Sequence, residues 1–198
     1  CGNGGRCIAF FAIEKKIAPK SHDFISVNHL YHATYRAKNT IALYMKEPTR
    51  IRLNQTLNLP ELNKTIEYHF IDTGAPHVVI NIDEFFPNKL HNIDITTIGK
   101  LIRYHKTFQP AGTNVNIIEK QPTKISIRTY ERGVEDETLA CGTGSVAGAL
   151  IAHLLWNIPK PIKVIPKSKK ELQVSFDSEK GKIQNVVLVG PAEIVFEG

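Results

Sequence analysis

The sequence predicts an α+β fold of two pseudo-symmetric domains, each a mostly antiparallel sheet wrapped around a central helix. Short segments rich in β-branched and aromatic residues alternate with three helix-like segments along the 198 residues. The chain also resembles itself, because residues 1–13 and residues 141–153 both place Cys-Gly-x-Gly ahead of an apolar helical run. An internal repeat of this kind indicates two similar structural units.

The first elements are a helix and a group of short strands. A helix is predicted over residues 6–16 and is ended by Pro19. Strands are predicted where apolar and polar residues alternate, in residues 24–30, 32–36, 40–45 and 50–54. Residues 37–39 predict a hairpin turn. Because proline cannot donate to a sheet, Pro60 predicts a loop over residues 55–64.

The later elements mix two helices with further strands. Apolar residues three and four apart predict a helix over residues 95–105, with Asp94 as its N-cap. A third helix is predicted over residues 145–156, ended by Pro159. Strands are predicted for residues 67–74, 77–82, 113–118, 124–130, 162–165, 171–176, 182–189 and 192–196.

The chain between residues 46 and 49 is the best place to cross from one domain to the other. We therefore expect a first domain of residues 1–46 with 190–198, which carries Cys1. The second domain is expected over residues 47–189 and carries Cys141.

Composition excludes several classes of function. The net charge of +6 is scattered over separate lysine groups, which favours a solvated surface over nucleic-acid binding. The sequence contains no apolar run of the roughly 20 residues that a membrane span needs. Three cysteines do not make a disulfide framework, so we expect a cytoplasmic protein with reduced thiols.

The candidate catalytic residues lie at the two Cys-Gly motifs. Cys141 stands directly before Gly142-Thr143-Gly144 and the third predicted helix. The free N–H groups and the dipole of a helix start favour an anion there, and they lower the pKa of an adjacent thiol. Cys1 stands in the same position before the first helix. Two thiols at facing helix ends would suit one acid and one base acting on opposite sides of one atom.

Four motifs resemble those of the diaminopimelate epimerases, a family of pyridoxal-free amino-acid epimerases of lysine and peptidoglycan synthesis. They are CGNGGRC at 1–7, GAPHVV at 74–79, TNVNI at 113–117 and ERGVEDETLACGTG at 131–144. GPAEIVFEG at 190–198 is also similar to the family's ending. The motifs run from the first residue to the last in the family's order, which makes the resemblance specific.

The resemblance implies epimerisation of LL-diaminopimelate to the meso form, without pyridoxal phosphate, any other cofactor or a metal. Cys1 and Cys141 would be the catalytic pair, one as thiolate and one as thiol, with roles that exchange between directions. Cys7 is interpreted as a core residue. Residues implied to tune the thiol pKa values or support the site are His77 and Glu131. Residues implied to bind substrate are Gly2, Asn3, Asn114, Glu131, Arg132, Gly142 and Thr143.

Specific roles follow from the chemistry of these residues. Backbone N–H groups at the two helix starts would hold the α-carboxylate. Arg132 would hold the distal carboxylate as a forked donor, and Glu131 would bind an ammonium group. The chain departs from the family in two ways: Ala75 stands where an asparagine is usual, and the family has several tens of residues before the first cysteine. We therefore expect the N-terminal part of the first domain to be absent from this chain, which alone should be inactive or unstable.

Other interpretations remain open at this point. Proline racemases and hydroxyproline epimerases also use a pair of catalytic cysteines, although they typically have histidine in place of Asn3. A thiol–disulfide redox protein and a non-catalytic anion-binding fragment are alternatives from other classes. Each site residue also has a structural interpretation, such as a tight turn, a surface ion pair or a core side chain. As partners we expect a small-molecule substrate, no nucleic acid and no membrane, and the sequence is compatible with a homodimer.

Overall fold

The computed structural model describes residues 2–85, 87–179 and 182–195. The predicted catalytic residue Cys1 lies outside the described residues. Among the described residues, no helix is long and apolar enough to cross a membrane. The same part of the chain holds no group of three or more His, Cys, Asp or Glu side chains placed to bind a metal ion.

Three α-helices and twelve strands form the described part of the chain. The helices are α1 (Gly2–Glu14), α2 (Ile95–Arg103) and α3 (Gly142–Trp156). The strands are β1 (Ser21–Ser26), β2 (His29–Tyr35), β3 (Thr40–Tyr44), β4 (Thr49–Leu59), β5 (Lys64–Asp72), β6 (Pro76–Asn81), β7 (Asn114–Lys120), β8 (Lys124–Glu131), β9 (Asp136–Thr138), β10 (Ile162–Ile165), β11 (Leu172–Glu179) and β12 (Lys182–Pro191).

The strands form one sheet in the order β1-β2-β3-β12-β11-β10-β8-β7-β6-β5-β4, and β9 pairs with β8. Nearly all neighbours are antiparallel, and the predicted α+β class is confirmed. The two parallel pairs are β6 with β7 and β8 with β10. Parallel neighbours need a long crossover, and helices α2 and α3 lie in those two connections.

The sheet wraps around α3, which contacts β5 to β8, β10 and β11. Every residue of α3 from Gly144 to Ala152 is buried. The helix is rich in glycine and alanine, and this lets the strands come close. A Cβ atom on Gly148, for example, would lie 2.9 Å from the Ile127 side chain.

Strands β5 to β8 pack on both faces, because successive side chains of a strand point to opposite sides. One face carries Val79, Ile118, Ile125 and Ile127 into the core around α3. The other face packs with apolar residues of α2. Towards the start of α3, the positions that continue the α3-facing rows become polar. These polar positions are His77, Asn114, Asn116, Thr129 and Glu131.

Helix α1 packs on a smaller layer formed by β2, β3 and β12. Its buried residues are Gly2, Arg6, Ala9 and Phe10, which lie on one stripe of the helix. Cys7 is off this stripe and is exposed, so its interpretation as a core residue is wrong.

Strand β12 belongs to both layers. Val187 to Val189 pair with β11 along one edge and with β3 along the other. The sheet therefore continues from one half of the chain to the other without a break. The division into residues 1–46 with 190–198 and residues 47–189 remains our proposal.

Several element boundaries differ from the sequence prediction for local reasons. Helices α1 and α3 include their glycines, so they begin three or four residues earlier than predicted. Residues 55–59, predicted as loop, extend β4 because they pair with β5, and Pro60 starts a short 3-10 turn instead. Val27 and Asn28 form a left-handed turn that divides a predicted strand. Residues 192–195 are not in a strand.

Candidate active site

The N-termini of α1 and α3 meet through two glycines. A Cβ atom on Gly142 would lie 2.8 Å from the Cα of Gly2, and one on Gly2 would lie 3.1 Å from the Cα of Gly142. Contacts below 3.0 Å are not tolerated by real Cβ atoms, so this approach of two backbones requires glycine. Two sets of helix-start N–H groups thus lie side by side.

Side-chain hydrogen bonds stabilise the contact between the starts of α1 and α3. The amide Nδ2 of Asn3 donates to the Ala140 carbonyl at 2.8 Å, just before Cys141. The hydroxyl of Thr73 donates to the Thr143 carbonyl at 3.1 Å. Both bonds join segments that are distant in sequence, and they hold the first turn of each helix in place.

A buried cation lies next to the first turn of α1. Arg6 is 5% exposed, and its guanidinium donates to the Gly2 carbonyl at 3.2 Å and to Asn3 Oδ1 at 3.0 Å. Gly190 leaves the space that the guanidinium fills. Burial lowers the pKa of Arg6. Its Nε has no partner among the described residues, and its positive charge adds to the attraction of the helix ends for an anion.

Cys141 is the N-cap of α3 and is 6% exposed. Its Sγ accepts the Gly144 N–H at 3.4 Å and lies 3.5 Å from the hydroxyl of Thr143. Burial raises the pKa of the Cys141 thiol to about 11, and the charge of Glu131 adds to the rise. The bonds from Thr143 and Gly144 act in the opposite direction but are smaller. The predicted lowering of this pKa by the helix end is therefore wrong, because burial and a neighbouring carboxylate outweigh it.

We expect Cys141 to resist alkylation at neutral pH, because only the thiolate reacts and a pKa of about 11 leaves very little of it. Its labelling rate by iodoacetamide should rise about tenfold per pH unit from pH 7 until the pH approaches 11. Peptide mass spectrometry on timed samples measures this rate. The exposed Cys7 of the same chain is the internal control, and labelling of Cys141 at pH 7 as fast as Cys7 would contradict a buried thiol.

A fully buried polar group lies beneath the start of α3. Nδ2 of Asn116 is 3.0 Å from Nδ1 of His77 and donates to the Val78 carbonyl at 2.9 Å. The hydroxyl of Thr129 donates to Asn116 Oδ1 at 3.0 Å. Burial lowers the pKa of His77 to about 3, so the ring is neutral at physiological pH. His77 Nε2 has no partner among the described residues.

Asn114 and Arg132 form a second polar group at the same end of the strands. The Asn114 side chain accepts the backbone N–H of Arg132 at 2.9 Å and donates to the Pro76 carbonyl at 2.9 Å. Its amide thus fixes the backbone position of Arg132. The Arg132 guanidinium donates to the Ala111 carbonyl at 2.9 Å. This bond uses one of the five N–H donors of an arginine, so others can bind a carboxylate.

The turn that carries Arg132 is held by Glu135. Oε1 of Glu135 accepts the Gly133 N–H at 3.0 Å and the Arg103 guanidinium at 3.1 Å, and Oε2 accepts the Tyr130 hydroxyl at 3.4 Å. The bond from Gly133 first, and then Tyr104 and Arg103, lower the pKa of Glu135 despite its desolvation. Gly133 has a φ of 94°, which glycine adopts without strain.

Glu131 ends β8 and faces the thiol. Its Oε2 accepts the Thr138 hydroxyl at 3.1 Å across the β8–β9 pair. The carboxylate is near enough to Cys141 to raise the pKa of that thiol. The structure thus brings Glu131, Cys141 and the helix-start residues Gly2, Asn3, Gly142 and Thr143 to one end of α3.

Comparison with known proteins identifies the family. A family model described as diaminopimelate epimerase matches residues 69–195. The diaminopimelate epimerase of Flavobacterium psychrophilum is 40% identical over 198 residues, which are 100% of this chain and 71% of that protein. The diaminopimelate epimerase of Chlorobaculum tepidum is 39% identical over 202 residues, which are 100% of this chain and 73% of that protein. The chain belongs to the diaminopimelate epimerase family.

Solved structures agree with the fold expected of a diaminopimelate epimerase relative. A probable proline racemase from Agrobacterium radiobacter superposes with a TM-score of 0.73 at 14% identity, over 96% of this chain and 66% of that one. A hydroxyproline epimerase from Agrobacterium vitis gives a TM-score of 0.73 at 13% identity, over 93% of this chain and 62% of that one. The chain thus spans somewhat less than two thirds of these structures, and the likeness concerns the fold alone.

Sequence reasoning missed several residues of this diaminopimelate epimerase family member that hold the site together. They are Arg6, Thr73, Asn116, Thr129 and Glu135. A signal for one of them was present, because Asn116 alternates with Asn114 and so lies on the same face of β7. Ala75, where the family usually has asparagine, lies in the turn before β6, and its carbonyl accepts the Thr73 N–H at 3.1 Å.

Proposed function

We propose that this protein is an isomerase that epimerises LL-diaminopimelate to meso-diaminopimelate without a cofactor. The observation that carries the proposal is the contact between Gly2 and Gly142, which places the starts of α1 and α3 side by side. Cys141 caps one of these helices, and Cys1 precedes the other in sequence. Membership of the diaminopimelate epimerase family supports the choice of substrate.

The α-carboxylate of the substrate is proposed to bind between the helix ends. The N–H groups of Gly2 and Asn3 would donate from α1, and those of Gly142 and Thr143 from α3. Negative charge moves onto this carboxylate when the α-carbon loses its proton. Two helix ends and the buried Arg6 cation stabilise that charge without rearranging.

The proton transfer is proposed to use both thiols. In one direction, the thiolate of Cys1 takes the proton from the α-carbon, and the S–H of Cys141 gives its own proton to the opposite face. Cys141 then holds the thiolate and Cys1 the thiol, so the reverse reaction exchanges their roles. The raised pKa of Cys141 favours its thiol form in the empty site, so Cys141 would start as the acid.

Recognition of the other end of the substrate is assigned to the β8–β9 turn. Arg132 would bind the distal carboxylate through the donors not used by Ala111. Glu131 would bind an ammonium group, and its charge would then be partly neutralised near the Cys141 thiol. His77 is proposed to support the site as a neutral ring. Asn114 is proposed to bind the substrate next to Arg132, whose backbone its side chain also holds.

The remaining predictions concern location and assembly. We propose a cytoplasmic protein, since the mechanism needs reduced thiols and the cytosol keeps them reduced. A small-molecule substrate is the proposed partner, without nucleic acid or membrane. A homodimer also stays a prediction.

Solvent exchange tests the proposed reaction. The full-length protein in deuterium oxide is expected to replace the α-hydrogen of LL-diaminopimelate and to form the meso isomer, as followed by NMR and chiral chromatography. L-proline and trans-4-hydroxy-L-proline serve as parallel substrates, since they represent the alternative racemases. Faster exchange of either than of diaminopimelate would overturn the substrate assignment, and absence of exchange on all three would overturn the reaction.

A further inference from the structure

We propose that Asn116 is a positioning residue that holds His77 as the tautomer with its proton on Nε2, which makes Nε2–H a donor for the occupied site. Only the role of this donor in binding the substrate rests on the proposed function. The hydrogen bonds that fix the tautomer depend only on the geometry of β6, β7 and β8.

The orientation of the Asn116 amide follows from its partners. The Val78 carbonyl can only accept, so the atom 2.9 Å from it must be the NH₂ group of Asn116. The hydroxyl of Thr129 then donates to the other end, Oδ1, at 3.0 Å. Both ends of the amide are satisfied in this orientation. In a flipped amide, Asn116 Oδ1 would face the Val78 carbonyl oxygen, and two acceptors repel each other.

The tautomer of His77 follows from the orientation of that amide. The NH₂ group of Asn116 is also 3.0 Å from His77 Nδ1, so Nδ1 must accept and cannot carry a hydrogen. A neutral imidazole then has its proton on Nε2. Asn116 and His77 are both fully buried, so water does not compete for these bonds.

Nε2–H is left without an acceptor among the described residues. Buried donors without partners are rare in proteins, and a bound water or ion, strain or a catalytic role accounts for those that occur. His77 pairs with Asn114 across β6 and β7, and Asn114 holds the backbone of Arg132, so the ring lies near the proposed distal binding group. A neutral ring cannot supply a cation there, so its contribution is an oriented N–H dipole.

Asn116 also touches the thiol end of α3. A Cβ atom on Gly144 would lie 2.4 Å from Asn116 Oδ1 and 3.3 Å from Cys141 Sγ, so both atoms border the same point. The Gly144 N–H that donates to Sγ belongs to this turn. One amide therefore bonds to the ring of His77 and lies against the turn that contains Cys141.

The first test is spectroscopic and needs no substrate. A long-range ¹H–¹⁵N correlation spectrum of the full-length protein should show His77 with Nε2 protonated and Nδ1 bare throughout pH 5 to 8. A proton on Nδ1, or a cationic ring in this range, would overturn the proposal. This result is independent of activity, so the positioning role and the proposed reaction can fail separately.

The second test replaces Asn116 with aspartate, which has the same shape but no donor. Asn116→Asp should move the His77 proton to Nδ1 or make the ring cationic. We expect kcat for exchange of diaminopimelate to fall about 10²-fold with little change in KM, because a wrong imidazole tautomer is costly in a preorganised site. Asn81→Asp, the same change at the far end of β6, is the control and should leave both readouts unchanged.

A milder variant protects the test against misfolding. Thr129→Val removes the bond to Asn116 Oδ1 but keeps the amide donor, so the tautomer should persist and kcat should fall by less than tenfold. Titration with LL-diaminopimelate should shift the Nε2–H resonance of the unmodified protein. A resonance that does not move on saturation would show that this donor does not serve the occupied site.

Discussion

Replacing Cys141 with serine is expected to abolish the interconversion of LL- and meso-diaminopimelate in both directions while the protein stays folded. A serine hydroxyl is a far weaker acid than a thiol, so neither the donor nor the base form is available at neutral pH. The loss should be at least about 10³-fold, in keeping with removal of a positioned acid–base group. Chiral chromatography of reactions started from LL- and from meso-diaminopimelate measures it.

The same variant separates the capping role of Cys141 from its chemistry. Cys141 caps α3 through the Gly144 N–H, and serine is a better cap than most residues. We expect a change in unfolding free energy of about 1 kcal/mol or less from this exchange. Cys7→Ser, at an exposed thiol, is the matched control for activity. Interconversion of the isomers at near the unmodified rate in Cys141→Ser would remove this thiol from the mechanism.

Replacing Gly142 with alanine is expected to lower kcat/KM about 10²-fold, because misplacement of catalytic groups by about 1 Å has an effect of this size. The new Cβ would lie 2.8 Å from Gly2 Cα, and neither backbone can rotate away as a side chain could. The two helix ends must therefore separate. Steady-state kinetics with LL-diaminopimelate measures the loss.

Helix propensity alone predicts that Gly142→Ala stabilises the protein, whereas the clash with Gly2 predicts that it destabilises the protein. Alanine in a helix gains up to about 1 kcal/mol over glycine, whereas overpacking typically costs about 1–3 kcal/mol. We expect the clash to win and thermal stability to fall slightly. Gly4→Ala, at an exposed position of α1, should keep activity and gain stability. Unchanged kinetics in Gly142→Ala would mean that the helix ends need not touch.

Local signals predicted the elements that define the site. Asp94 was identified as the cap of α2, and its side chain accepts the Thr97 N–H at 3.1 Å. The turn at residues 37–39 has left-handed Lys38 and Asn39, as a tight hairpin requires. The presence of α1 and α3 followed from the Cys-Gly motifs, since glycine before an apolar run is a local property of the chain, although both helices begin earlier than predicted.

Tertiary contacts decided what the sequence could not. The pKa of Cys141 rises because α3 is enclosed by strands and because β8 brings Glu131 to it, and neither fact can be read from residues 141–144. Asn114 stays a predicted substrate-binding residue, and the sequence did not show that its amide also bonds to the Pro76 carbonyl and to the Arg132 backbone. Asn116 was missed because its partners come from two other strands. The role of Cys1 remains a prediction.

Strand β12 has a consequence for how such a chain can evolve. It is hydrogen-bonded to β11 on one side and to β3 on the other, so the same strand completes both layers. The repeated Cys-Gly motif is what an ancient gene duplication would leave behind. A gene fusion that moved one half alone into another protein would have to supply a replacement for that common strand.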